Sequence, residues 1–68
     1  MKQKSIKIYH NSGEANTPWH VGLHDGTAIT EQFGAFREPM DAVRKAIPLA
    51  AERGLPATKP AWLKVVLA

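Results

Sequence analysis

His10, His20 and His24 are the side chains best suited to hold a metal or move a proton in this chain. On a helix, positions 20 and 24 would face one ion, as in zinc-protease motifs. The residues around them argue for a strand instead, because Trp19, Val21 and Leu23 alternate with His20, Gly22 and His24. Four strand residues span about 13 Å, too far for two rings to share an ion held about 2.1 Å from each nitrogen. His10 and His20 could meet across neighbouring strands, but a third ligand is missing. The expectation is no metal and no cofactor, with the histidines exposed on strands and loops.

Nucleophilic chemistry has equally little to work with. Ser5 and Ser12 lie in an N-terminal strand and a loop, with no elbow motif around them. The six carboxylates are scattered, and Asp41 and Glu52 have the spacing of helix-surface charges. Gly22, Gly26 and Gly34 fit hairpin geometry rather than a phosphate-cradling loop. These residues do not form the nucleophile, base and orienter that catalysis needs, so a non-enzymatic protein is expected.

The 68 residues allow one small domain, 1–68, with 1–4 as a tail. Without cysteine, disulfides and thiolate metal sites are excluded. The start, Met1-Lys2-Gln3-Lys4-Ser5-Ile6, is basic and lacks a long apolar run, which argues against a signal peptide. No stretch approaches the roughly 20 apolar residues of a membrane span. The chain therefore reads as soluble, cytoplasmic and without a membrane partner. Nine Lys and Arg against six Asp and Glu give a net charge of +3, with Lys2, Lys4 and Lys7 making up the excess. Such an excess steers encounters without identifying a target.

The elements follow from periodicity. Lys4 to His10 alternates as a strand, with Ile6 and Ile8 on one face and Lys7 and Tyr9 on the other. Asn11 to Pro18 is a polar loop, and Trp19 opens a second strand. A three-residue loop, His24-Asp25-Gly26, would pair Leu23 with Thr27 and Val21 with Ile29, which keeps the apolar residues on one face. It would also put Gly26 at positive φ. Thr27 to Phe33 then forms a third strand. Pro39 suits the first turn of a helix, in which Met40, Val43, Ala46, Ile47 and Ala50 make the buried stripe. Gly54 is the expected C-cap, with Leu55 folding back on the stripe. Pro48 removes the bond to the Arg44 carbonyl, so the helix should kink there or end and restart, and the continuing stripe favours the kink. Ala61 to Leu67 is read as a last strand beside Ile6 and Ile8. The expected fold is α+β, ordered βββαβ, an antiparallel sheet with one helix across one face.

That arrangement leaves the other sheet face for a partner. It would carry Lys7, Tyr9, His20, Thr30 and Gln32 around the small residues Gly22 and Ala28. Trp62, alternating out of phase with Leu63, Val65 and Leu67, is a second candidate anchor. A three-stranded sheet backed by a helix also resembles DNA-binding modules of plant transcription factors and integrase arm-binding domains. Those load the sheet with Arg, whereas this one offers Lys7 with Lys2 and Lys4 before it.

Trp19-His20-Val21, Phe36, then Ala42, Ala46, Ala50 and Gly54, followed by a closing apolar strand, resemble small bacterial and phage hairpin–helix–strand domains. The layout over residues 16–67 is similar to that of small phage anti-CRISPR proteins acting on type I surveillance complexes. The resemblance implies a phage or mobile-element protein that binds and inhibits a host complex, and it assigns no residue a role. The alternative expectation is nucleic-acid binding through Lys2, Lys4, Lys7, Tyr9 and His20. In either case a monomer or weak homodimer is expected, given the small core and apolar last strand.

Overall fold

The computed structural model describes residues 3–64. Four strands and one helix follow in the order β1 (Ser5–His10), β2 (Trp19–His24), β3 (Ile29–Phe36), α1 (Pro39–Arg53) and β4 (Ala57–Thr58). The sheet order is β3-β2-β1-β4. β2 is antiparallel to both β1 and β3, as expected, but β4 runs parallel to β1, so the sheet is mixed. The direction follows from connectivity. β1 and β3 both oppose β2, and α1 carries the chain back, so β4 starts from the same end as β1.

The core lies between α1 and one sheet face. Ile6, Ile8 and Val21 are fully buried, with Trp19, Ala42, Val43, Ala46, Ala50 and Leu63 around them. Alanines at 42, 46 and 50 form a smooth helical stripe that lets the backbone of α1 approach the sheet closely. Met40, expected in that stripe, is 46% exposed, and Ala42 takes the inward position. One helix runs unbroken through Pro48, whose ring is exposed.

The β2–β3 register differs from the expected one. Four residues, Asp25 to Ala28, connect His24 to its partner Ile29. The Asp25 carboxylate accepts hydrogen bonds from the Thr27 N–H (2.8 Å) and the Ala28 N–H (2.9 Å), which fixes this longer turn. Those two bonds also hold the Asp25 carboxyl below its usual range. Gly26 has φ 98°, the positive value expected of it.

Leu23 faces Glu31 and Val21 faces Gly34, leaving Thr30 and Phe33 as extra residues in two bulges on β3. Each bulge resets the side-chain alternation. Phe33 and Phe36, three apart, therefore both pack on the core, which an uninterrupted strand would forbid. An edge strand broken twice is also a poor template for pairing with another chain.

β4 was expected at Ala61–Leu67. Instead Ala57–Thr58 pairs with Ile6 and Lys7, and residues 60–63 form a turn; Val65 to Leu67 lie outside the described residues. Two prolines explain the brevity of β4. The Ile6 N–H donates to the Pro56 carbonyl at 2.9 Å. In a parallel ladder the matching β4 donors recur at every second residue, and at positions 56 and 60 they are prolines without an N–H.

Gly54 closes α1 at φ 66°, its N–H bonded toward Ala51 while Leu55 N–H reaches the Ala50 carbonyl at 3.0 Å. A Cβ at Gly54 would meet nothing within 4 Å, so the cost of Gly54→Ala is purely that of left-handed backbone, about 1–2 kcal/mol. Urea unfolding should show that loss, and an unchanged midpoint would contradict the cap assignment. Pro48→Ala should stabilise, by up to about 3 kcal/mol, because it restores a helical donor and removes no buried contact.

Candidate functional site

Of the outer-face residues that alternation suggests, Thr30 and Gln32 are exposed and Lys7 and Tyr9 half-buried, but His20 is not open to solvent. His20 is 3% exposed, the only buried polar residue among those described. Its ring stacks on Tyr9, with centroids 5.2 Å apart and planes 17° from parallel. Nδ1 lies 2.7 Å from Nε2 of Gln32. With the Gln32 amide as donor, the imidazole proton sits on Nε2, which faces Oε2 of Glu14 at 3.5 Å without forming a hydrogen bond. Glu14 reaches that position because the 11–18 loop curls back: Glu14 N–H bonds the Asn11 carbonyl and Asn11 N–H bonds that of Pro18.

Gly22 is covered as well. A Cβ there would come within 2.9 Å of Ile29 Cγ2 and of the Glu31 carbonyl, and 3.3 Å from Tyr9. The four-residue turn and first bulge bring Ile29 onto this face, where the expected register had put it in the core. Tyr9, His20, Ile29, Gln32 and Glu14 thus form a small second layer that the protein fills itself. His20, expected to be exposed, is the buried member of that layer, and Gln32 spends its amide on it. Thr30 is exposed in a bulge, its hydroxyl 3.4 Å from the Leu23 carbonyl, and Ala28 is in the turn.

The three histidines occupy separate environments. His24 Nδ1 accepts from the Gly26 N–H at 3.1 Å, and His10 packs edge-on against Trp19 at 4.9 Å. Among the described residues, no three His, Cys, Asp or Glu side chains converge in a way that could hold a metal, and no pocket opens.

What does gather is an aromatic corner at the His10 end of β1. Because β4 runs parallel to β1, with Thr58 beside Lys7, the continuation through Lys59 and Pro60 travels toward His10. There Leu63 N–H closes a turn onto the Pro60 carbonyl at 3.1 Å, and Leu63 is buried. Trp62, one residue earlier, is 63% exposed. Its ring centroid lies 5.4 Å from that of Trp19 and 6.1 Å from that of His10. Trp62 was a candidate anchor from the sequence; its backing by His10 and Trp19 was not foreseen.

Charge segregates around the same edge. Every acidic residue falls between Glu14 and Glu52, whereas residues 1–13 carry Lys2, Lys4 and Lys7 and residues 53–68 carry Arg53, Lys59 and Lys64. Residues 1–13 and 53–68 therefore hold +6 and the middle −3, and the β1–β4 pairing puts Ile6 and Lys7 of the first segment beside Ala57 and Thr58 of the second. Arg53 is drawn away, over the Phe33 ring at 4.7 Å and 3.8 Å from Glu31. Lys4 and Lys64 are exposed, Lys7 and Lys59 half-buried, and none of the four forms an ion pair among the described residues. Lys2 lies outside the described residues. The distribution of acids along the chain is the signal that would have found Lys59 and Lys64 from sequence.

Comparison with protein families, with curated proteins and with solved structures finds no match to this chain. No helix among the described residues is long and apolar enough to cross a membrane.

The second layer makes a prediction for the single tyrosine. Burial, and secondarily the Glu14 charge, push the Tyr9 phenol above its ordinary value of 10.0. A raised value means the fold holds the proton more tightly than the unfolded chain does. The associated stability is complete below pH 10 and is lost as the pH rises through the folded value. Ultraviolet titration should give one tyrosinate transition above the free-tyrosine range, moved part of the way back by Glu14→Gln. A transition at or below the free value would mean that Tyr9 is not covered.

Proposed function

We propose that the chain is a non-enzymatic binding module that engages nucleic acid along the β1–β4 edge. The observation that carries this reading is the pairing of two segments without acidic side chains, which places Lys4, Lys7, Lys59 and Lys64 along one margin of the sheet with the exposed Trp62 at its His10 end. A cationic edge whose lysines form no ion pair among the described residues attracts phosphate, and counterions released from the nucleic acid drive the association. The remaining surface, net negative, keeps the contact oriented.

A protein partner is the second reading, favoured by Trp62, since a largely exposed tryptophan is a frequent interface anchor. Inhibition of a host complex, a type I CRISPR surveillance complex among the cases, belongs to this reading. It would use Trp62 with Lys7 and Tyr9 rather than His20, which the second layer covers. A complex that forms with such an assembly after nuclease treatment, and is lost in Trp62→Ala, would favour this reading over the first.

Binding to a labelled oligonucleotide, single- or double-stranded, should fall steeply with salt. At about 0.7 to 0.9 per phosphate, four lysines predict a slope of about −3 in log affinity against log salt. Lys4→Glu with Lys64→Glu should abolish binding at about 50 mM salt. Arg44→Glu with Lys45→Glu, an equal charge change on α1, should leave most of it. Equal loss in both pairs, or no binding by the unaltered protein, would rule out the edge.

A further inference from the structure

We infer that the edge selects single-stranded nucleic acid, with one base stacked on the outer face of Trp62 and the flanking phosphates on Lys59 and Lys64. The inference rests on the nucleic-acid reading above and adds the strandedness and the stacking residue.

Three observations carry it. Trp62 is held rather than loose: its turn is closed by the Leu63-to-Pro60 hydrogen bond, Pro60 stiffens the entry, and the buried Leu63 pins the exit. One side of the indole is backed by Trp19, itself nearly buried, and by His10. At 63% exposure the remaining ring surface is open to solvent. A large apolar ring fixed in the open is preorganised for a flat apolar partner, since its ordering cost has been met by folding.

The lysines specify which flat partner. Lys59 lies three residues before Trp62 and Lys64 two after it, so positive charge flanks the ring along the chain. Single strands present this combination, an unpaired π-face between phosphates, and every base supplies the face, so recognition tolerates sequence. A duplex keeps its bases stacked inside and offers Trp62 only backbone. β4, two residues long, and the twice-bulged β3 provide no ribbon for a major groove.

The test uses one mixed-sequence 12-nucleotide strand, supplied as DNA, as RNA and as the DNA duplex, at about 50 mM salt. Single strands should bind more tightly than duplex and quench tryptophan fluorescence. Trp62→Ala should weaken single-strand binding by about tenfold or more, remove most of the quenching, and leave weak duplex binding nearly unchanged. Trp62→Phe should retain much of the affinity, and circular dichroism should confirm that both variants fold. Tighter binding of the DNA or of the RNA strand names the natural ligand, and both results support the inference. Equal affinity for strand and duplex, unaffected by Trp62→Ala, overturns the stacking inference while the basic edge survives. Binding to none of the three overturns both.

Discussion

The two-residue parallel pairing of β4 with β1 is the contact on which the functional arrangement depends. It is short because Pro56 and Pro60 deny β4 the donors that would extend it. Short as it is, it brings the lysine-bearing segments around residues 4–7 and 57–64 onto one margin of the sheet. It also sets the heading of everything after Thr58, so that Trp62 arrives at His10 and Trp19 rather than at the opposite end of β1. The apolar side of the same junction is buried: Ile6, opposite Ala57, is fully enclosed, and Leu63 re-enters the core after the turn. The core thus holds the edge in place, and the edge carries the charge.

The two sides of the sheet solve different problems. On the inner side, alanines at 42, 46 and 50 bring the helix close over Ile6, Ile8 and Val21. On the outer side there is no helix, and the protein covers the centre with its own side chains. Tyr9 lies against His20, Ile29 over Gly22, and Glu14 closes the margin from the loop. This layer withdraws His20 and Gly22 from partners and leaves the β1–β4 margin, where Lys7, Lys59 and Lys64 form no ion pair among the described residues.

Much of the fold was legible because its apolar periods are clean. Ile6 and Ile8, Trp19 and Val21, the alanine-rich helix and the glycine at position 54 each carry a local signal that tertiary packing reinforces. The errors in β3 share one cause, which is that alternation assumes an uninterrupted strand. Two bulges and an Asx-stabilised turn shifted β3 so that Ile29 moved to the outer face and Phe33 joined the core. No local pattern announces a bulge. His20 was misread for a related reason, since its burial depends on a loop folding back from residue 14. The parallel direction of β4, by contrast, could have been read from connectivity, and the basic edge from the placement of the acids. What the sequence could not convey is that Trp62 would be backed by His10 and Trp19, because that contact joins residues about fifty positions apart.

The central claim is that the β1–β4 margin forms the binding surface. It is tested most directly by mapping amide and indole shifts of isotopically labelled protein during titration with an oligonucleotide. The account predicts that perturbations concentrate at Lys4 to His10, at Thr58 to Lys64 and at the Trp62 indole N–H, leaving α1 and the Gln32 region quiet. Perturbations centred on α1 or on the His20–Gln32 pair, with Trp62 silent, would contradict it.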